Sequence, residues 1–556
     1  MPEAIAAGDT WMVFWRGRAL TVPDTRRARG LLELAYERYC AANDDVGVLA
    51  VAEPLWETVV LLGDSMTAFH VWLPPLERAL ARCKSLPGNW IETEGWEAYL
   101  LMSIFARGEG ALLDEARHVM EQTLHASDRR GIERLAVAND ASMLAWFAAD
   151  IALSECATNV IGKFVRDEDT SALLRHWGYY WIALPDWCMG RWNQAIESFE
   201  RAMQLATQFR FAAADVSAYC YLSMSYHHAG MPEKAASVLR SAQAQFDPRR
   251  SFHWGMYHLG LAFDAYQRDD LEQAIVHQRV CIASLRTADS LGMLAVAWPS
   301  EAAYYAQSGR VDEAAAVVEA ARRATAKTIY RLSDAAHCFV LAEVALRRTD
   351  RSLAIEHLRE GLQHARNPIK AGMLFSMTRC LPRLLSLAID EGLETETVCY
   401  LIKRWNVTPD ASAFDRWPWP VKIYTLGEFR VLIDNAPLAS KGKAHFKVLA
   451  LLKAIIAAGA QQVGSTTLAE WLWPDADGDT AASNLKVSLH RLRKLLGHEE
   501  VVLLHDGKVS LNKRLCWLDL WSFETVINDT NDKDHRGSRS ESHLQPDTLE
   551  IGRAHV

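Results

Sequence analysis

Through the first four hundred residues the apolar positions recur at three and four residues, the spacing of helices with one buried face. The pattern also repeats on a longer scale. GRWNQAIESFERA (Gly190 to Ala202) is followed by GMPEKAASVLRSA (Gly230 to Ala242), DDLEQAIVHQRVC (Asp269 to Cys281), GRVDEAAAVVEAA (Gly309 to Ala321) and TDRSLAIEHLREG (Thr349 to Gly361). The sixth position is always alanine: Ala195, Ala235, Ala274, Ala314 and Ala354, separated by 40, 39, 40 and 40 residues. Weaker matches around Ala157 and Ala116 carry the spacing upstream. Each unit has a loop residue, the alanine, an apolar or long residue four further on and a small one three after that, which together form one helix face. A second amphipathic stretch precedes each unit, such as AYCYLSMSYHHA before Gly230. Such helix pairs cannot cover their own apolar faces, so they are expected to stack into a superhelix with the alanines at close helix contacts.

The pattern changes at Trp417-Pro418-Trp419-Pro420, where two prolines are expected to end the last helix and form a stiff connector. Beyond it, VKIYTLGEFRVLIDNAPL is rich in β-branched and aromatic residues around a turn and reads as a small antiparallel sheet. HFKVLALLKAIIAAGA then puts Phe446, Leu449, Leu452, Lys453 and Ile456 at helical spacing, with Gly459 as a stop. A second helix, TTLAEWLWP, is expected to be capped by Ser465 or by a Thr467–Glu470 box and halted at Pro474. In the third, TAASNLKVSLHRLRKLLG, Leu485, Leu489, Leu492 and Leu496 share a narrow buried stripe. The opposite side presents Ser483, Val487, His490, Arg491 and Lys494, with Asn484, Lys486 and Arg493 on its shoulders. VVLLHDGKVSLN reads as a hairpin turning at Asp506-Gly507.

Composition narrows the function classes. The chain of 556 residues is half hydrophobic and 23% charged, enough to bury a large core in more than one domain. Its net charge of −9 argues against a surface built throughout for nucleic acid. Residues 421–523 depart from that balance, with 13 Lys+Arg against 10 Asp+Glu, so a mildly basic module is attached to an acidic body. Ten cysteines occur singly, without a C-x-x-C pair, and suggest reduced thiols rather than a zinc site or a disulfide framework. The N-terminus lacks the pattern of a signal peptide, and no apolar run reaches membrane-spanning length, so a cytoplasmic protein without membrane contact is expected. G-x-x-x-x-G-K-[ST], H-E-x-x-H and G-x-S-x-G are all absent, and the expectation is a non-enzyme without cofactor or metal. His227-His228 points in two directions on a helix and suits a structural role better than a metal site. The aromatic group Trp177, Tyr179, Tyr180, Trp181 and Trp187 is expected mainly to pack helices.

The repeats resemble tetratricopeptide (TPR) units, whose loop glycine, small residue and following aromatic match Gly190, Ala195 and Phe199. The period departs from the family's usual ~34 residues toward the HEAT or armadillo range. Stretched units of this type resemble those of the maltose-regulon activator family, as does the N-terminal stretch from Gly17 to Leu80; that family's nucleotide-binding domain has no counterpart here, so the chain is expected to be naturally short or a fragment. Sheet, three helices and hairpin resemble an OmpR-type winged helix. WLWPDADGDTAASNLKVSLHRLRKLLG and the exit CWLDLWSFE are similar to the SARP-type transcriptional activators, in which a bacterial transcriptional activator domain follows.

Together these features lead to an expected mainly-α chain: a TPR-like α-solenoid over residues 1–415, a small α/β winged-helix domain over 421–523, and a tail over 524–556 that is disordered or artefactual. The last six residues, Ile551 to Val556, correspond to the translation of a sequencing-library adapter. The family resemblance implies a sequence-specific transcription regulator, an activator, that binds double-stranded DNA and works with RNA polymerase, with a small molecule or protein as effector on the repeats. On the third helix Asn484, Val487 and Arg491 are the expected base readers, with Ser483 and His490 on the same face; Lys486, Arg493, Lys494 and the hairpin's Lys508 are expected at phosphates. The competing expectations are a protein-interaction scaffold with a non-reading winged helix, and an output fragment of an ATP-driven signalling protein.

Overall fold

The computed structural model describes residues 8–83, 90–126, 131–209, 216–243, 247–409, 416–438 and 443–524. The tail expected to be disordered lies almost entirely outside the described residues. Contacts divide the chain into two compact units, one ending at Val407 and one beginning at Thr408.

The first unit is a TPR-like array of antiparallel helix pairs. It opens with α1 (Thr10–Leu20) and α2 (Thr25–Ala42), α3 (Asp45–Leu62) and α4 (Ala68–Arg82), and α5 (Trp90–Ala106) and α6 (Leu113–His125). The middle pairs are α7 (Gly131–Ala148) with α8 (Ile151–Phe164), α9 (Ala172–Met189) with α10 (Trp192–Phe209), and α11 (Val216–His228) with α12 (Pro232–Gln243). They continue as α13 (Ser251–Gln267) with α14 (Leu271–Thr287), α15 (Leu291–Gln307) with α16 (Val311–Thr325), and α17 (Asp334–Arg347) with α18 (Arg351–Ala365). A short α19 (Pro368–Gly372), a 3-10 turn at Met373–Met377, α20 (Leu381–Asp390) and α21 (Thr395–Trp405) complete the unit.

The repeating alanine is the fourth residue of the second helix in each pair. Ala195, Ala235, Ala274, Ala314 and Ala354 are fully buried, because a methyl group is all that fits where that helix crosses its partner. Ala116 holds the same place in α6, whereas in α8 the place belongs to Ser154 and the buried Ala157 lies one turn on. The first residue of each repeat ends the preceding helix in the left-handed region: Gly190 (φ 79°), Gly230 (74°), Asp269 (67°), Gly309 (86°) and Thr349 (61°). First helices such as α15 (LGMLAVAWPSEAAYYAQ) are buried on most faces, since α15 packs against α14, α16 and α17 and also against α5 from the early repeats.

The array curls back on itself. The Arg331 amide donates to the Phe147 carbonyl at 2.9 Å, Asn367 Nδ2 to the Ala149 carbonyl at 2.7 Å, and the Met66 amide to the Ala288 carbonyl at 2.7 Å. Arg404, on α21, reaches the carbonyls of Cys188 (2.8 Å) and Trp187 (2.6 Å) at the end of α9. Gly190 is required there twice over: its φ is left-handed, and a Cβ on it would lie 2.8 Å from Arg404 Cδ.

In the second unit, β1 (Val421–Tyr424), β2 (Arg430–Ile433) and β3 (Ala436–Pro437) form the expected antiparallel sheet, in the register Val421↔Ile433. A strand not anticipated, β7 (Cys516–Leu518), lies parallel to β1 with Val421 opposite Cys516, giving the order β3-β2-β1-β7. Between them come α22 (Lys443–Ala457), β4 (Val463–Gly464), α23 (Ser465–Leu472), α24 (Gly478–Leu495) and the hairpin β5 (Val502–His505) and β6 (Lys508–Leu511), with β4 paired to β6. The core joins Val421 and Ile423 of the sheet to Leu451, Leu452 and Ile455 of α22 and to Leu485, Leu489, Leu492 and Leu496 of the α24 stripe. Residues 519–524 are again helical, and Asp519 accepts from the amides of Thr425 (2.6 Å) and Leu426 (2.8 Å) and from Thr425 Oγ1 (2.7 Å).

Four local expectations are corrected. The last helix of the array ends at Trp405, with Asn406 left-handed (φ 49°), well before Pro418 and Pro420. Phe446 is 77% exposed; the buried face of α22 instead includes Val448, Leu451, Leu452, Ile455 and Ile456, while Lys453 lies 4.5 Å over the Phe429 ring. Neither Ser465 nor the Thr467–Glu470 pair caps α23, whose N-cap is Gly464 with no side-chain bond. The third helix begins two residues before Thr480, because Asp477 caps it by accepting from the Thr480 amide at 2.9 Å.

Candidate nucleic-acid interface

Two elements build the outer face that the sequence singles out. Helix α24 is fixed on one side by its leucine stripe, which leaves Ser483, Lys486, Val487, His490, Arg491 and Lys494 exposed and Asn484 half-buried. Among the described residues, none of Lys486, His490, Arg491 and Lys494 has an ion-pair or hydrogen-bond partner. Val487, 48% exposed, is the apolar member of this face. The hairpin is the second element. Asp506 (φ 47°) and Gly507 (φ 73°) are both left-handed, the two-residue turn whose twist suits a tight hairpin, and it sets the exposed Lys508 opposite His505.

Arg493 has a different place from the one expected. Its Nε donates to the Val502 carbonyl at 2.8 Å, so this half-buried side chain ties α24 to the base of β5 instead of standing free for a phosphate. The charge of α24 is also graded along its length. Asp477 and Asp479 lie at its start, where they suit the positive end of the helix dipole; hydrogen bonds from the Thr480 amide and hydroxyl hold the Asp477 carboxyl below its usual range. Arg493 and Lys494 lie in its last turn.

The first unit resolves the other candidates. His227 Nε2 lies 2.9 Å from Asp264, and the half-buried His228 is stacked on Trp192 at 4.3 Å, so the two rings serve separate contacts. Among the described residues, Cys338, Glu360 and His364 bring possible metal-ligand atoms together, but Arg322 already donates to Cys338 Sγ at 3.1 Å and lies 4.0 Å from Glu360. Trp187 is wholly buried and packs against Tyr221 and Phe375. Trp177, Tyr180 and Trp181 line a cavity, together with Glu53, Glu57, Glu97 and Asp140. Those carboxylates were missed in the sequence. The available signal was a glutamate pair four residues apart inside the otherwise apolar run VLAVAEPLWETVVLL.

No protein-family model matches the chain, and no curated protein sequence matches it. Among solved structures, the chain is similar to a Rap protein complexed with competence and sporulation factor, at 11% identity, covering 64% of this chain and 96% of that one with a TM-score of 0.46. It is also similar to the Cut9–Hcn1 hetero-tetramer of APC/C, at 16% identity with 66% and 75% of the two chains covered and a TM-score of 0.31. Yeast Tom70 is similar at 13% identity, with 72% and 99% covered and a TM-score of 0.33. Likeness at this level carries no ligand or partner from those proteins to this one. No helix among the described residues is long and apolar enough to cross a membrane.

Proposed function

We propose that the second unit is a winged-helix DNA-binding module of the OmpR/SARP type, and that the chain is a sequence-specific transcription regulator, an activator working with RNA polymerase. In this reading the TPR-like repeats receive the signal. The observation that carries it is the face of α24, where Lys486, His490, Arg491 and Lys494 stand exposed around Val487 with no partner among the described residues, and the Lys508 hairpin follows in the same module. A helix of this kind fits the major groove, where a guanidinium reads guanine, an amide reads adenine and an apolar side chain meets the thymine methyl group. Asn484, Val487 and Arg491 are the proposed base readers, with Ser483 and His490 beside them; Lys486, Lys494 and Lys508 are proposed at phosphates. Arg493 holds the hairpin to the helix. The acidic first turn of α24 disfavours phosphate there, so contact is assigned to the middle and end of the helix.

The test is selection of bound duplexes from a random library with the full chain, followed by affinity measurements at several salt concentrations. Arg491→Ala is expected to cost about 1–3 kcal/mol on the selected site and to relax one base pair. Lys494→Ala and Lys508→Ala should weaken all sequences alike, each flattening the plot of log K against log salt by about one unit. An unenriched library, with variants that bind like wild type, would remove α24 as a reader. A second reading, a docking module in a scaffold, is favoured by the exposure of Phe446 (77%) and Trp471 (56%), and that outcome would bring it forward.

A further inference from the structure

The first helices of four successive pairs, α3, α5, α7 and α9, turn one face each toward a common cavity of about 190 Å³. Its walls are of two kinds. Trp56, Phe105, Trp177 and Tyr180 supply aromatic surface, and Glu53, Glu57, Glu97 and Asp140 supply carboxylates. The neighbouring cation, Arg18, is committed to Glu94 through two hydrogen bonds of 2.7 Å and lies 5.0 Å over the Trp90 ring. Among the described residues no Lys, Arg or His forms an ion pair with the four cavity carboxylates.

Two buried acceptors point more narrowly at a ligand. Glu97 is only 4% exposed, and its Oε1 accepts no hydrogen bond. Asn139, 3% exposed, spends its Nδ2 on the Leu174 carbonyl at 3.1 Å and leaves Oδ1 without a donor. Unpartnered buried acceptors of this kind cost stability until a donor reaches them. Among the described residues, Trp146 Nε1 and the Tyr221 hydroxyl also line the cavity without a partner, but no Lys, Arg or His is among its lining residues, and its ring faces attract cations.

We propose that this cavity binds a small organic cation, an ammonium head on a compact aromatic body. The head lies among Glu97, Asp140 and the Asn139 carbonyl, and the body lies between the Trp and Tyr faces. Size sets the body: a cavity of roughly 150 Å³ holds benzene, so this one holds a single ring with a short arm. Burial, and then the charge of its neighbours, pushes the carboxyls of Glu97 and Asp140 upward, the latter to about 8, as expected of acids awaiting a counter-charge. The proposal deepens the sensing half of the regulator reading, but its test involves no DNA.

Calorimetric titration of the full chain with phenethylamine, 2-phenylethanol and 3-phenylpropionate separates charge from shape. The amine is expected to bind one-to-one and about tenfold or more tighter than the alcohol, with the acid weakest. Glu97→Gln and Asp140→Asn each replace a cavity carboxyl with an amide of the same shape, so they should keep the cooperative melting transition while losing about tenfold in amine affinity. Equal binding of amine and alcohol, preference for the acid, or no binding of any of the three by wild type would overturn the proposal; these outcomes do not depend on any variant folding. Amine binding in a chain that binds no DNA would remove the regulator and leave the cavity site intact. DNA binding without amine binding would do the reverse.

Discussion

Arg404 offers a quantitative test of how the repeat array is fastened. It is 7% exposed, lies over the Trp192 and Trp405 rings at 4.3 and 4.1 Å, and donates to two carbonyls of the last turn of α9. Among the described residues no carboxylate pairs with it. Burial lowers its pKa from 12.5 to about 10, a cost of roughly 3 kcal/mol for holding the charge there. The contacts act against that cost. Hydrogen bonds from a charged donor contribute about 1.5–3 kcal/mol each, and the two ring contacts add about 0.5–2 kcal/mol each. Arg404→Met keeps the packing of the stem and forfeits both sets of contacts, so it should destabilise the array by about 2–4 kcal/mol. Arg404→Lys retains charge but cannot span both carbonyls, and it should recover less than half of the loss. Urea denaturation of the full chain followed by far-UV circular dichroism reports mainly on this helical unit. Amide exchange should show faster opening at residues 184–190 than at α3. A change below ~0.5 kcal/mol, or a larger loss with unaltered exchange at the end of α9, would refute the role given to Arg404.

Thr349 adopts φ 61° where three of the other four repeats have glycine, so Thr349→Gly should raise stability by about 1 kcal/mol, read as a higher urea midpoint. Asp519→Ala removes the acceptor of three hydrogen bonds between the two ends of the second unit and should cost about 2–4 kcal/mol there; unchanged amide exchange at Thr425 and Leu426 would count against it. The cavity carboxylates give a pH signature. Burial raises Glu57 to about 7 and Asp140 to about 8, so the fold favours their protonated forms, and their contribution is lost as pH rises from about 4 to 8. Buried His253 and His337, lowered to about 3 and about 4 by desolvation, act in the opposite sense and lose stability as pH falls below about 6.5. Arg18, Glu94 and Glu133 also act on the cluster. The difference between wild type and Asp140→Asn isolates Asp140: the variant's advantage should grow from pH 4 to 8, and a flat difference would refute the assignment.

The repeats were legible because an alanine at a helix crossing leaves a strict trace; Ala274 and Ala314 are as buried as their spacing implies. The leucine stripe of α24 and the Asp506-Gly507 turn were legible for similarly local reasons. Phe446 was misplaced because its hydrophobicity was weighed without the neighbours that decide which face turns inward. Strand β7 left no pattern, since three buried residues make no alternation and its pairing partner lies at the opposite end of the module. The cavity was invisible for a related reason: Glu57, Glu97, Asp140 and Trp177 come from four helices and converge only when the array curves. Arg493 looked like its cationic neighbours, and only the position of the Val502 carbonyl distinguishes it.

The return of the array on itself changes how it can fold. An open solenoid gains stability from adjacent repeats alone, so it can nucleate anywhere and fray from its ends. Here Tyr330 donates to the Ile104 carbonyl, and Asn367 and Arg404 bind the ends of helices about two hundred residues upstream. Contacts so distant in sequence form only after a long segment of chain has been ordered, which slows folding and makes the late steps cooperative. Phe252 and Met293 from α13 and α15 also reach the cavity built on α3 to α9, so its floor is completed only when the later repeats arrive. A ligand in that cavity would touch both the early helices and α13 and α15, so on the proposed cation site hydrogen exchange in α3 and in α15 should slow together when the amine binds.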